Sequence, residues 1–431
     1  MNNLSASEPT RSQNTWSSLP WGTFLFLLAV FVYATPLLHF KAFFIHGIGV
    51  GDADAVANVM ARDNWMRIVA LSSLGVFALF NILRSKVRQF QINGLLGWLI
   101  LLYIVLAVLS ITWSTDPKFT LKRVGILLFL CLGALYFAER YSLQEIIALF
   151  IFICAVAVLF GLFESLRFYS FRPFVGSWRF GGNLHPIAQG WHLGLLLLSV
   201  FVLSKTTEQN RAVYLGITFV AFLLLILTRS RVALVSCIMG SVVYWFMVST
   251  KRYQGPLLFL VIISGVCSIY FLLGSEFTGF GEKVVMLGRG QDISTTKTFT
   301  GRLPLWENLM QVVNERPFLG FGYDSFISSK NLPLITEKIG WATPNTHSGY
   351  MSTLGGLGYI GCITLILILF LSVKMSIGLA KRNSEYAFIV AVLVWLILNL
   401  LTEDQILTRP YFPTFAWMIL LARLGFIREK R

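Results

Sequence analysis

Apolar residues come in long runs rather than at a period of two or of 3.6. A membrane-spanning helix takes roughly 20 mostly apolar residues. Runs that meet or approach that length, broken by charges and turn residues, lie at 21–39, 66–83, 95–111, 124–138, 146–162, 187–203, 213–227, 232–248, 257–273, 348–373, 386–401 and 411–424. The pattern predicts an all-α polytopic membrane protein with about twelve transmembrane helices. The first run is as apolar as a signal-peptide core, but it is long and lacks a small-residue cleavage site, so it is read as a retained span. One long polar excursion, 274–346, separates the ninth and tenth runs and divides the chain into 1–273, 274–346 and 347–431. Within it LPLWENLMQVV, 303–313, is apolar on one face, the pattern of a helix that lies on a membrane or caps a cavity.

Composition agrees. Of the 431 residues 56% are hydrophobic and only 13% charged, against about 25% charged in soluble domains. A water-facing globular enzyme, a disordered chain and a collagen-like or disulfide-framed fold are thereby excluded. Cys131, Cys154, Cys237, Cys267 and Cys362 all fall in apolar runs, where a thiol acts as a small hydrophobe.

The net charge of +15 would suggest nucleic acid in a soluble protein, but in a membrane protein Lys and Arg fix orientation. No nucleic-acid partner is therefore read from it. In alternate loops one side collects Arg84, Lys86, Arg88, Arg140, Lys205, Arg211, Lys251, Arg252, Lys381, Arg382, Arg428, Lys430 and Arg431. The positive-inside rule makes that side cytoplasmic, with both termini there, and puts the 274–346 loop on the opposite side of the membrane.

The far side breaks the rule. It carries Lys122, Arg123, Arg167, Arg172, Arg179, Arg229, Arg231, Arg289, Arg302, Arg316 and Arg409, and three predicted spans begin there, just after His185, Arg231 and His347. Cations at positive helix ends are unfavourable unless an anion sits among them, and helix N-termini with arginine forks suit phosphate. The inference is a membrane-embedded ligand with a phosphate or pyrophosphate head. The plainer reading has these arginines snorkelling to lipid headgroups or pairing with Glu164, Asp292, Glu315, Glu403 and Asp404.

Four segments carry candidate chemistry. TPNTHSGYMSTLGGLGYIG, 343–361, puts His347 where the long loop enters the tenth span; a helix N-terminus and desolvation favour the neutral imidazole that a general base needs, and Gly355, Gly356, Gly358 and Gly361 permit close approach by a neighbour. A structural histidine at a loop end is the alternative. LTRSRVALV, 227–235, places Arg229 and Arg231 in a tight turn, pointing different ways, with Arg231 nearer the helix start. TGRLPLWENLMQVVNERPFLGFGYDSF, 300–326, sets Arg302 ahead of the amphipathic helix. SWRFGGNLHP, 177–186, presents Arg179 and His185 around a Gly-Gly turn.

Taken together, Ser-Arg in a short turn, Gly-Arg before a Trp-bearing helix and Pro-Phe-Leu-Gly-Phe-Gly, and His-Ser with Gly358 and Gly361 downstream resemble the O-antigen ligase superfamily over about 177–361. That superfamily holds lipopolysaccharide O-antigen ligases, O-antigen polymerases and O-linked oligosaccharyltransferases. Many relatives have Asn after the histidine, where this chain has Ser348, a departure the ligases tolerate. The oligosaccharyltransferases usually add a domain beyond the last span, whereas this sequence ends soon after Leu424, and polymerases of this type commonly show fewer arginines.

The resemblance implies a GT-C-like glycosyltransferase architecture and transfer of a glycan from an undecaprenyl-pyrophosphate-linked O-antigen donor to a sugar hydroxyl of lipid A-core, on the periplasmic face. The leaving group is already good, so positioning and charge neutralisation dominate, and no cofactor or metal is implied. His347 is assigned as base, with pyrophosphate binding open to it; Arg231 and Arg302 contact the pyrophosphate, and Arg179, His185, Arg123, Arg229 and Arg172 are further candidates for pyrophosphate or glycan. Direct displacement would invert the anomeric carbon. Rival readings are a metal-dependent transferase using Asp52 and Asp54, and a transporter or flippase for an anionic lipid, which predicts repeats and discontinuous helices in matched positions.

Overall fold

The structure, a computed structural model, describes residues 20–34, 65–85, 90–173, 175–176, 178–206, 210–249, 302–328, 330–339, 343, 345–404 and 409–428. Apart from one isolated bridge between Phe90 and Ile427, its regular elements there are helical. In chain order they are α1 (Trp21–Ala34), α2 (Trp65–Arg84), α3 (Gly94–Leu109), α4 (Pro117–Arg140), α5 (Leu143–Arg167), α6 (Pro186–Thr206), α7 (Arg211–Leu227), α8 (Arg231–Val248), α9 (Arg302–Val313), α10 (Leu332–Ile339), α11 (Gly349–Ala380), α12 (Tyr386–Leu400) and α13 (Phe412–Phe426). Seven of them, α2 to α6, α8 and α11, are long and apolar enough to cross a membrane, counting with α3 its short 3-10 extension; α1, α7, α12 and α13 are shorter apolar helices. This is the architecture of a polytopic membrane protein. The ninth predicted span, 257–273, the first part of the long loop with Arg289 and Asp292, and Asp52 and Asp54 lie outside the described residues.

Local chemistry sets the helix ends. Ser142 and Glu145 form a reciprocal capping box at the start of α5. Asp116 caps α4 by accepting from the Phe119 N–H at 3.2 Å, with Pro117 in the first turn. These signals start α4 seven residues before the predicted run at 124–138, so Lys122 and Arg123 stand inside a helix rather than in a loop.

Helix α12 is the hub. Nearly all its residues are buried, and it packs on α8 and α11, with α6 and α13 also in contact. The α8 contact is close because a Cβ at Gly240 would come 2.9 Å from the Ala391 carbonyl oxygen. By contrast α3 and α7 turn Leu95, Trp98, Val105, Phe219 and Val220 outward. Such faces suit hydrocarbon surroundings, where helices gain nothing by hiding leucine from lipid.

Helix α11 is discontinuous. At Gly358 the backbone takes φ 66° and ψ −167°, which removes the helix bonds from Tyr359 and Ile360 back to the carbonyls of Gly355 and Gly356. Inside a bilayer freed backbone groups must find partners, and here the segment after α9 supplies them. Phe321 and Gly322 donate to the Gly355 and Gly356 carbonyls at 2.9 and 2.8 Å, while the Tyr359 and Ile360 N–H groups donate to Pro317 and Phe318 at 2.8 and 3.5 Å. The close neighbour that the glycines of 355–361 admit is thus an irregular loop, seated in the helix break.

Candidate functional site

The loop that α9 and α10 belong to is tied to the end of α12. Arg302 Nη2, in the first residue of α9, lies 2.9 Å from Glu403 Oε1, just past α12, and both side chains are mostly buried, 17% and 6% exposed. Asp404 Oδ2 accepts from the Thr346 backbone N–H at 3.2 Å and from the Ser352 hydroxyl at 3.1 Å. Trp306 Nε1, on α9, donates to the Thr346 carbonyl at 2.9 Å. Adjacent carboxylates on one short segment thus fix both the amphipathic helix and the turn before His347.

His347 occupies the left-handed region, φ 53°, which few non-glycine residues adopt, histidine, asparagine and aspartate more often than the rest. Its N–H donates to Asn345 Oδ1 at 3.2 Å, and its buried Nδ1 has no hydrogen-bond partner among the described residues. Burial, with the Arg302 charge and His185 adding to it, pushes the imidazole down to about 3, so the ring is neutral at physiological pH. Ser348 is the N-cap of α11, its hydroxyl accepting from the Met351 N–H at 3.4 Å. Serine and asparagine are interchangeable in that role, which gives a physical reason for serine at this position.

Arginines from separate elements converge on Glu403. Arg179, in the α5–α6 connection, donates through Nε to the Thr228 carbonyl at 2.9 Å, and Phe180 N–H to the Leu227 carbonyl at 2.8 Å, so this connection is clipped to the α7–α8 turn. Arg179 Nη2 is buried without a hydrogen-bond partner among the described residues. Burial lowers the Arg179 guanidinium to about 10, opposed by Glu403 and reinforced by Arg229 and Arg231. The two arginines of the turn diverge. Arg229, at φ 50°, donates to the Gly176 carbonyl at 2.9 Å; Arg231, the first residue of α8 and 9% exposed, is near enough to Arg302 for their charges to repel.

In the middle of this group burial lifts the Glu403 carboxyl to about 7, with Asp404 adding to the rise and Arg302 and Arg179 opposing it. A second group adjoins. Arg123 Nε lies 2.9 Å from Asp324 Oδ2, and the charges of Arg67, Arg123 and Arg409 interact with one another. Burial raises the Asp324 and Asp404 carboxyls as well, against the pull of Arg409 on both.

The expected residues therefore fall into three sets. Arg179, Arg229, Arg231, Arg302, His185 and His347 are brought together, although His185 is exposed and its Nδ1 accepts from the Ile187 N–H at 3.3 Å at the start of α6. Arg123 stands in the adjoining group, already paired with Asp324. Arg172 is exposed and, among the described residues, donates to the nearby Tyr169 carbonyl at 3.3 Å, apart from the cluster. Arg302, expected to hold a ligand, holds Glu403 in this state. Sequence reasoning missed Arg67 and Asp324, and it treated Glu403 and Asp404 only as ion-pair partners. Two adjacent carboxylates directly after an apolar run were the available signal. Among the described residues no group of three or more His, Cys, Asp or Glu side chains could hold a metal ion.

Chemically the arrangement offers a buried cationic cluster that includes a neutral imidazole and a resident carboxylate, with two buried nitrogens, Arg179 Nη2 and His347 Nδ1, unpartnered among the described residues. Residues 216–366 match the family model described as O-antigen ligase. The matched stretch contains Arg229, Arg231, Arg302, His347 and Gly358. No curated protein sequence matches the chain.

Proposed function

We propose, from the premise that residues 216–366 place this chain in the O-antigen ligase family, that the protein is an O-antigen ligase of the bacterial inner membrane. It transfers a glycan from undecaprenyl pyrophosphate to a sugar hydroxyl of lipid A-core in a metal-independent, inverting step at the periplasmic face, within about twelve spans of GT-C-like arrangement. The observation that carries this reading is the convergence of Arg179, Arg231 and Arg302 beside His347, with Arg179 Nη2 and His347 Nδ1 both buried and unpartnered among the described residues.

Pyrophosphate departure builds negative charge on the leaving oxygens, and preorganised guanidinium groups stabilise it without rearrangement. Arg231, Arg302 and Arg179 supply those groups, with Arg229 behind them. Helices α6, α8 and α11 begin next to His185, Arg231 and His347, which brings their positive ends to this group. His347 stays neutral and presents an imidazole nitrogen to the incoming hydroxyl, as base or as the group that aligns it. In the displacement the acceptor oxygen bonds to the anomeric carbon, the carbon–oxygen bond to pyrophosphate breaks with its electron pair, and the hydroxyl proton leaves.

The test is reconstitution of the purified protein with lipid-linked donor and lipid A-core. Glycan-capped lipopolysaccharide is expected. Elongated lipid-linked glycan without capping would make the protein a polymerase, and movement of lipid without glycan transfer would make it a flippase.

A further inference from the structure

Glu403 is the anion that the arginine cluster already contains. Its carboxylate lies 2.9 Å from Arg302 Nη2, is 5% exposed as a residue and interacts favourably with Arg179 as well. The charged groups facing it are Arg302 from α9, Arg179 from the α5–α6 connection and its own neighbour Asp404. Arg231 and His347 lie within charge range of Arg302, and His185 within that of His347. A diphosphate entering this cluster must compete for the guanidinium that Glu403 occupies.

The outcome of that competition follows from burial. Once the diphosphate takes the Arg302 fork, Glu403 is left in a low-dielectric site beside Asp404 and a newly arrived dianion. An ionised carboxylate without its partner there is strongly unfavourable, and neutralisation by a proton is the ordinary escape. We propose that Glu403 is a substrate-displaced counter-ion: it holds Arg302 in the donor-free protein, yields it to the lipid diphosphate, and takes up one proton from solvent as it does so. This rests on the reading of the arginine group as a diphosphate site. The displaced, protonated carboxyl becomes a donor that can bond the diphosphate rather than repel it, so the same residue guards the empty site and joins the filled one.

The sign of the pH dependence is fixed. In the empty protein Glu403 titrates near 7, and in the complex the loss of Arg302 and the added anion raise that value further. Below about 7 the carboxyl is protonated before binding and no proton is taken up. Above it, binding draws in about one proton and affinity falls about tenfold for each further pH unit, until the value in the complex is passed.

Farnesyl diphosphate, as a soluble-chain probe, titrated calorimetrically into the detergent-solubilised full chain at pH 7.5 and 8.5 in buffers of different ionisation enthalpy, reads both affinity and proton count. Expected are uptake of about one proton and about tenfold weaker binding at the higher pH, with Glu403→Gln showing neither, since comparison with that variant cancels ionisation of the probe. If Glu403→Gln does not fold, the proton count on the unaltered protein decides alone. Binding by the unaltered protein without proton exchange, or an unchanged pH dependence in Glu403→Gln, overturns the proposal while leaving the diphosphate site standing. Absence of binding at both pH values overturns the diphosphate reading and the proposal with it.

Discussion

The carboxylate of Asp404 lies 3.2 Å from the backbone nitrogen of Thr346, so the end of α12 grips the chain one residue before His347. The same oxygen takes the Ser352 hydroxyl from the first turn of α11. A histidine at positive φ costs about 1–3 kcal/mol unless its surroundings hold it, and these contacts are the holding groups.

Asp404→Ala should therefore reduce transfer through loss of position rather than of chemistry. A buried N–H left without an acceptor costs about 1–3 kcal/mol, enough to loosen the turn. Asp404→Asn keeps an acceptor oxygen and should retain much of the rate. Product formed per mole of inserted protein separates the two, and an Asn variant as inactive as Ala would show that the charge itself is required.

His347→Ala removes the imidazole proposed to face the acceptor hydroxyl and is expected to lower turnover by about 100-fold or more while membrane insertion stays normal. Single-turnover assays on reconstituted protein, normalised to inserted protein, give the measurement.

Arg302→Lys keeps one positive charge but loses the planar fork that spans two phosphate oxygens. Transfer should fall at least about tenfold, with the defect persisting at saturating acceptor, since the lost contact is to the donor. A lysine variant with ordinary turnover would mean that charge alone suffices.

Gly358→Ala places a Cβ 2.2 Å from the Phe318 carbonyl carbon and forces a side chain into φ 66°. The four hydrogen bonds that seat 317–322 in the α11 break cannot all survive. Limited proteolysis should cut between α9 and α10 faster than in the parent, at a stability cost of at least about 1–3 kcal/mol.

Glu403 and His347 should give opposite contributions to stability against pH. The Glu403 carboxyl is raised from 4.5 to about 7 in the fold, so its burial penalty is absent below 4.5 and grows as pH rises towards 7. His347 is lowered from 6.5 to about 3, so its contribution is whole above 6.5 and is lost as pH falls towards 3. Between 4.5 and 6.5 the two slopes oppose each other. Thermal midpoints in detergent should accordingly fall with rising pH in His347→Asn and rise with it in Glu403→Gln.

The apolar helices were legible because a bilayer demands long apolar runs: eleven of the predicted runs correspond to α1 to α8 and α11 to α13, seven of them long enough to cross a membrane. Helix α9 showed through its one-sided LPLWENLMQVV pattern. Helix α10 did not, being eight residues without a long enough period to declare itself. The break in α11 was half visible: four glycines announced a close neighbour, but which segment fills the gap is a tertiary fact. Arg231 and Arg302 stood out because they violate a charge rule, and His347 because it stands where the long loop enters a span. Glu403 and Asp404 did not, since a carboxylate after a span looks ordinary until its buried partners are seen.

Affinity for a lipid diphosphate tests the central claim most directly. Purified protein in detergent, titrated with undecaprenyl pyrophosphate at fixed salt, should bind it saturably. Arg179→Ala, Arg231→Ala and Arg302→Ala should each weaken binding by about tenfold or more, while Arg172→Ala, outside the cluster, binds as the parent does. Equal affinity across all four variants would contradict the account, because the guanidinium groups gathered at this end of the bundle would then hold no diphosphate.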